Sequence, residues 1–137
     1  MLKKITLVSN NICYGPEHEI GSEVEQRLTV NAKGGVWFSA YTYNRDFGHF
    51  PVGRKIQKKI PSETAEKLLG DILHYFEDNE VYFITDVGGY DLTLFFDDET
   101  TEAISGPLLC ENKELQKICD FARDTIGIDG MFMFDGN

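Results

Sequence analysis

The feature that most constrains this chain is a period-two alternation that turns back on itself. From Val24, the apolar residues Val24, Leu28 and Val30 fall on one side of an extended backbone, with Glu25, Arg27 and Thr29 on the other. Asn31-Ala32-Lys33-Gly34-Gly35 then supplies turn chemistry, and Val36–Tyr43 returns as an aromatic strand bearing Trp37, Phe38, Tyr41 and Tyr43. Two such runs on either side of a glycine turn predict an antiparallel hairpin. A helix cannot satisfy this pattern, because residues two apart point to different sides of a 3.6-residue turn.

The rest of the chain is read around that hairpin. Lys3–Val8 is a short strand candidate, and Val52–Ile60 is a basic one. Pro61-Ser62-Glu63 reads as a helix start, with Ser62 placed to accept a backbone N–H and Glu63 and Glu66 suited to the positive end of the helix dipole. Ala65, Leu68, Leu69, Ile72, Leu73 and Phe76 follow at spacings of three and four, an apolar stripe that must pack on something. Val81–Asp86 and Asp91–Phe96 read as a second hairpin through Gly88-Gly89. Asp97-Asp98-Glu99 makes a further turn before a short strand at Ala103–Ser105. A second helix opens near Asn112, carries Leu115, Ile118, Cys119, Ala122 and Ile126 on one stripe, and closes at Gly127. Met131–Phe134 reads as a closing strand.

Hairpins imply antiparallel pairing, and two amphipathic helices suffice to cover one face of the sheet. The expected architecture is α+β: a hairpin-rich antiparallel sheet with both helices on one face. The 137 residues suit one domain, 1–137, with no linker, repeat or low-complexity tract to divide them.

Charge narrows the function classes. The chain carries 13 Lys and Arg against 23 Asp and Glu, a net charge of −10. Phosphate recognition relies on Lys and Arg, so this balance disfavours nucleic acid, and it also disfavours an anionic membrane surface. The charge is uneven: residues 68–112 hold 11 acidic groups and no Lys or Arg, whereas Arg54, Lys55, Lys58 and Lys59 make a compact basic strand. No apolar run approaches a membrane span, and MLKKITLVSNN lacks the longer apolar stretch of a signal peptide, which leads to a cytoplasmic expectation. Cys13, Cys110 and Cys119 match no zinc or disulfide spacing, consistent with reduced thiols.

No segment carries a recognisable catalytic constellation. There is no nucleophile elbow, phosphate-binding loop or dinucleotide fingerprint, and Asp46-Phe47-Gly48 lacks the accompanying kinase motifs. Glu17-His18-Glu19 has metal-ligating residue types, but a metal needs three or four converging ligands, and neither a metal nor a cofactor is expected. Asp86 and Asp91 flank the Gly88-Gly89 turn, and paired carboxylates there, with His49 from the preceding loop, form the catalytic candidate. Aspartates in turns more often bond their own backbone. His74 falls on the polar side of the first helix.

The leading expectation is therefore a small non-enzymatic binding or inhibitory protein. It would use its acidic stretch, with Asp97, Asp98, Glu99 and Glu102 as the contact residues, against a basic protein partner. An immunity-type protein or a nucleic-acid mimic would fit that description; the alternative is a small-ligand-binding or hydrolytic domain built on the 86–91 turn. Trp37, Tyr41 and Tyr43 share a strand and become a partner site if their face is left bare. A bare sheet face also admits a homodimer.

Overall fold

A computed structural model describes residues 2–11, 21–43, 51–79, 88–108 and 112–135. In chain order the elements are β1 (Leu2–Asn10), β2 (Glu23–Asn31), β3 (Gly35–Thr42), β4 (Val52–Lys59), α1 (Ser62–Asp78), β5 (Gly89–Phe96), β6 (Thr101–Pro107) and α2 (Lys113–Ile126). The strands form an antiparallel sheet in the order β4-β3-β2-β1-β5-β6. This is an α+β fold with both helices on one face.

The expected β2–β3 hairpin is present. It is turned at Gly34, whose φ of 98° only glycine adopts at little cost. An added Cβ at Gly34 would sit 2.0 Å from the Ile60 carbonyl oxygen, because the chain leaving β4 crosses the turn there. The Ile60 N–H donates to the Gly34 carbonyl at 2.8 Å, which ties the start of α1 to the hairpin. From the edge strand β4, α1 carries the chain across the sheet so that β5 enters beside β1 at its centre.

Core packing follows the alternation. Ile5, Leu7, Leu28, Val30, Val36 and Phe38 point to the helix side and are all buried, as are the facing Leu68, Leu69 and Ile72 of α1. In α2 the Asn112 side chain accepts from the N–H groups of Glu114 and Leu115, and Gly127 closes the helix at φ 69°. Both expected caps of α2 are therefore in place.

Three expectations are corrected. Pro61, not Ser62, is the N-cap of α1, and no side chain caps that end; Ser62 is already the first helical residue. Proline's restricted φ presets the extended entry into the helix, while its ring offers no acceptor to the N–H groups of the first turn. Gly88-Gly89 is not a hairpin turn. Gly89 begins β5, opposite Asn10 of β1 on one side and Pro107 of β6 on the other, and the hairpin actually formed is β5–β6, turned at Asp97–Glu99. The strand expected at Val81–Asp86 lies outside the described residues.

The third correction is the largest. Met131–Phe134 is not a strand: Met133 has φ 49°, a left-handed conformation that breaks any extended run. Residues 129–134 instead form a strap, exposed at 129 and 130 and buried over 131–134, that crosses β4, β2, β1 and β5 on the helix side. Arg54 of β4 donates to the Asp129 carbonyl at 2.8 Å, and Gln26 of β2 donates to the Gly130 carbonyl at 2.8 Å. The Phe132 N–H donates to Gln26 Oε1 at 2.6 Å, and Ser9 of β1 donates to the Met133 carbonyl at 2.7 Å. Phe134 completes the crossing against Tyr90 of β5, ring centroids 5.0 Å apart. Ser9 and Gln26 are the buried polar side chains of the described sheet, and the strap's backbone is what they serve. Arg123 of α2 clamps the strap's end, donating to the Met131 and Phe132 carbonyls at 3.0 Å and pairing with Asp135.

Candidate functional site

With both helices and the strap on one side, the other face of the sheet carries the remaining half of each alternation. Its residues are set by register. Across the middle, Lys55, Ser39, Arg27, Val8, Asp91 and Ser105 lie side by side on β4, β3, β2, β1, β5 and β6. One pair of residues along, Gln57, Trp37, Thr29, Thr6 and Thr93 form a parallel row. No described helix or loop packs across these rows.

Trp37 is 42% exposed and Val52 is 49% exposed, the large apolar side chains most open to solvent among the described residues. The two do not form one patch: Trp37 lies opposite Gln57 and Val52 opposite Tyr41, at the other end of the β3–β4 pairing. Trp37 is a surface residue, and Tyr41 on the same face is half-buried. Tyr43 lies just past the end of β3, its N–H donating to the Ser22 carbonyl at 2.7 Å.

The β4–β3–β2–β1 part of this face holds a shallow depression of about 550 Å³, lined by Thr6, Arg27, Thr29, Trp37, Tyr41 and Lys55 among others. One of its two cations lies over an aromatic ring. The Arg27 guanidinium lies over the Tyr41 ring at 4.8 Å, and it donates through Nε to Glu25 at 3.2 Å. Farther along the face, the Lys4 ammonium lies over Phe95 at 4.3 Å. Such stacking orients a cation without neutralising it. No described side chain pairs with Lys55.

The residues singled out from sequence are scattered. Asp91 is on this open face within β5, where it accepts a hydrogen bond from Ser105 Oγ at 2.5 Å. It is therefore a strand residue with a cross-strand partner, not one flank of a turn. Asp86, His49, Cys13, Cys110, Asp46-Phe47-Gly48 and Glu17-His18-Glu19 lie outside the described residues. His74 is on the exposed side of α1, 3.3 Å from Asp78. Cys119 is fully buried, as its place on the α2 stripe implies. Among the described residues no three His, Cys, Asp or Glu side chains are grouped closely enough to hold a metal ion. None of the described helices is long and apolar enough to cross a membrane.

The acidic turn is occupied largely by its own structure. Asp98 accepts from the Thr100 hydroxyl at 2.5 Å and from the Thr100 N–H at 3.1 Å, and these bonds hold its carboxyl below the usual range. Glu99 pairs with Lys3 at 3.1 Å. Glu102 is exposed on β6, opposite Leu94 and on the helix side of the sheet. The acidic character of the helix layer comes more from α1, which has five acidic residues and a single Lys.

Sequence reasoning did not single out Arg27, Ser39 and Lys55 as one site. Their alternation was legible, but their adjacency is a property of the β2–β3–β4 register. No protein-family model matches the chain and no curated protein aligns with it significantly, so its own residues carry the functional argument.

Proposed function

We propose that the protein is a non-enzymatic binding protein that docks a macromolecular partner on the open face of its sheet, with Trp37 as the central anchor. The observation that carries this reading is the exposure of Trp37 in a depression whose walls are aromatic and cationic. Tryptophan, tyrosine and arginine are the side chains that contribute most when an interface excludes water around them. Here all three surround Ser39, Trp37 and Tyr41 two residues to either side of it on β3 and Arg27 opposite it on β2.

A photo-crosslinking residue placed at position 37, with a control at the exposed Glu66 of α1, tests the proposal in the native cell. A discrete, saturable adduct is expected from position 37 and not from position 66. Equal labelling at both positions, or none at 37, refutes it.

A second reading keeps the acidic surface as the contact, against a basic protein. The acidity of α1 favours it. Charge reversal at Asp97 and Glu102 separates the two readings: it abolishes binding of a basic partner and leaves open-face binding unchanged.

A further inference from the structure

We infer that the depression over Ser39 is a receptor for the carboxylates of an acidic protein segment, which sit between Arg27 and Lys55 while an apolar neighbour covers Trp37. This rests on the open-face reading and names the partner's chemistry. Ser39 pairs with Arg27 on one side and Lys55 on the other. Strands are spaced about 4.8 Å apart, so the two cations stem from backbone positions roughly 10 Å apart with a hydroxyl between them. Trp37 and Tyr41 bound the same spot along β3, two residues to either side.

Both cations have capacity to spare. Lys55 is exposed and has no described partner. Arg27 directs its Nε and one Nη to a single oxygen of Glu25, at 3.2 and 3.1 Å, and a guanidinium has five N–H donors. The Tyr41 ring 4.8 Å away and the Glu25 carboxylate both restrain that guanidinium, so less side-chain freedom is left to lose when an anion arrives.

The sign of the face points the same way. Lys4, Arg27, Lys55 and Lys59 stand on it against Glu25 and Asp91, in a molecule whose net charge is −10. An acidic segment therefore meets attraction on this face and repulsion at α1.

The same observations weigh against single-stranded nucleic acid as the occupant. Stacking platforms need free aromatic faces, and two of the rings here already carry a cation, Tyr41 under Arg27 and Phe95 under Lys4. A long polyanion also feels the whole negative molecule, whereas a short segment feels mainly the local pair of cations.

Amide chemical shifts of the full chain, titrated with defined probes, test this. The probes are the capped peptides Leu-Glu-Glu-Leu, Leu-Gln-Gln-Leu and Leu-Lys-Lys-Leu and an eight-residue oligothymidylate. The glutamate peptide is expected to shift Arg27, Ser39, Lys55 and the Trp37 indole. Lys55→Glu is expected to weaken it at least tenfold, and Trp37→Ala to weaken the glutamate and glutamine peptides alike. Lys55 is exposed, so an unchanged urea midpoint for Lys55→Glu confirms intact folding. Equal binding of the glutamine peptide on Trp37 overturns the anion receptor and leaves the open-face reading standing. Oligothymidylate shifting this face while the glutamate peptide does not also overturns the acidic-protein inference. Only the lysine peptide binding, with shifts confined to α1 and the 97–99 turn, overturns both. Silence from every probe overturns the inference.

Discussion

Replacing Gln26 with Leu should loosen the C-terminal strap, and its cost can be worked from the geometry. The Gln26 side chain is 2% exposed and makes two bonds to the strap, from Nε2 to the Gly130 carbonyl at 2.8 Å and from the Phe132 N–H to Oε1 at 2.6 Å. Leucine fills much the same volume but offers neither partner. The Phe132 N–H is buried, and a buried donor left unpaired costs about 1–3 kcal/mol. Gly130 is exposed, so its carbonyl turns to water and loses only a net bond, about 1 kcal/mol. The expected loss is therefore about 2–4 kcal/mol, a large share of the ~5–15 kcal/mol that a domain has to spare. Urea unfolding reads the loss, and amide exchange locates it: protection should fall first at Phe132 and Met133. Ser9→Ala releases the Met133 carbonyl in the same strap, and the pair should couple by about 0.5 kcal/mol or more in a double-mutant cycle. A loss below about 0.5 kcal/mol for Gln26→Leu, with Phe132 still protected, would show that apolar packing alone seats the strap and that the hydrogen bonds are incidental.

Gly34→Ala should destabilise by more than the ~1 kcal/mol of a left-handed alanine, because the new Cβ would also meet the Ile60 oxygen at 2.0 Å; thermal unfolding checks this. Asn112→Ala removes the acceptor for two N–H groups of α2 and should cost about 0.5–2 kcal/mol, measurable as a lower urea midpoint with an unchanged slope. Thr100→Val removes the hydroxyl that holds the Asp98 carboxyl below its ordinary value of 3.8. A depressed carboxyl stabilises the fold above its unfolded pKa and loses that contribution as pH falls through the folded value. The stability difference between Thr100→Val and the parent should therefore be present at neutral pH and shrink below about pH 4; a difference independent of pH would mean that the hydroxyl acts by packing alone.

Much of this fold is local in origin and was legible for that reason. The β2–β3 hairpin follows from alternation on both sides of a glycine turn, and α2 from a three-four stripe between an asparagine cap and a left-handed glycine. These are short-range preferences of the backbone, decided within a few residues of where they act. The chain's alternation also separates Trp37, Ser39 and Tyr41 from Val36, Phe38 and Ala40 before any tertiary contact is considered.

What alternation cannot say is which side is covered, since aromatic residues occur on both faces of β3 and either face offers apolar area to bury. That choice was made when α1 crossed the sheet from β4 and packed on β1 and β2, leaving Trp37 outside. The pairing of β1 with β5 joins residues too far apart in sequence for any local signal, so the local pattern at Gly88-Gly89 suggests a turn although it leads into a strand with neighbours on both sides. The 131–134 segment is the clearest case. Its apolar run is compatible with a strand, but Gln26, Ser9 and Arg123, drawn from three other elements, supply its backbone with partners. Once those partners are in place, the segment satisfies its polar groups while burying its apolar ones, and it has no need of a sheet edge.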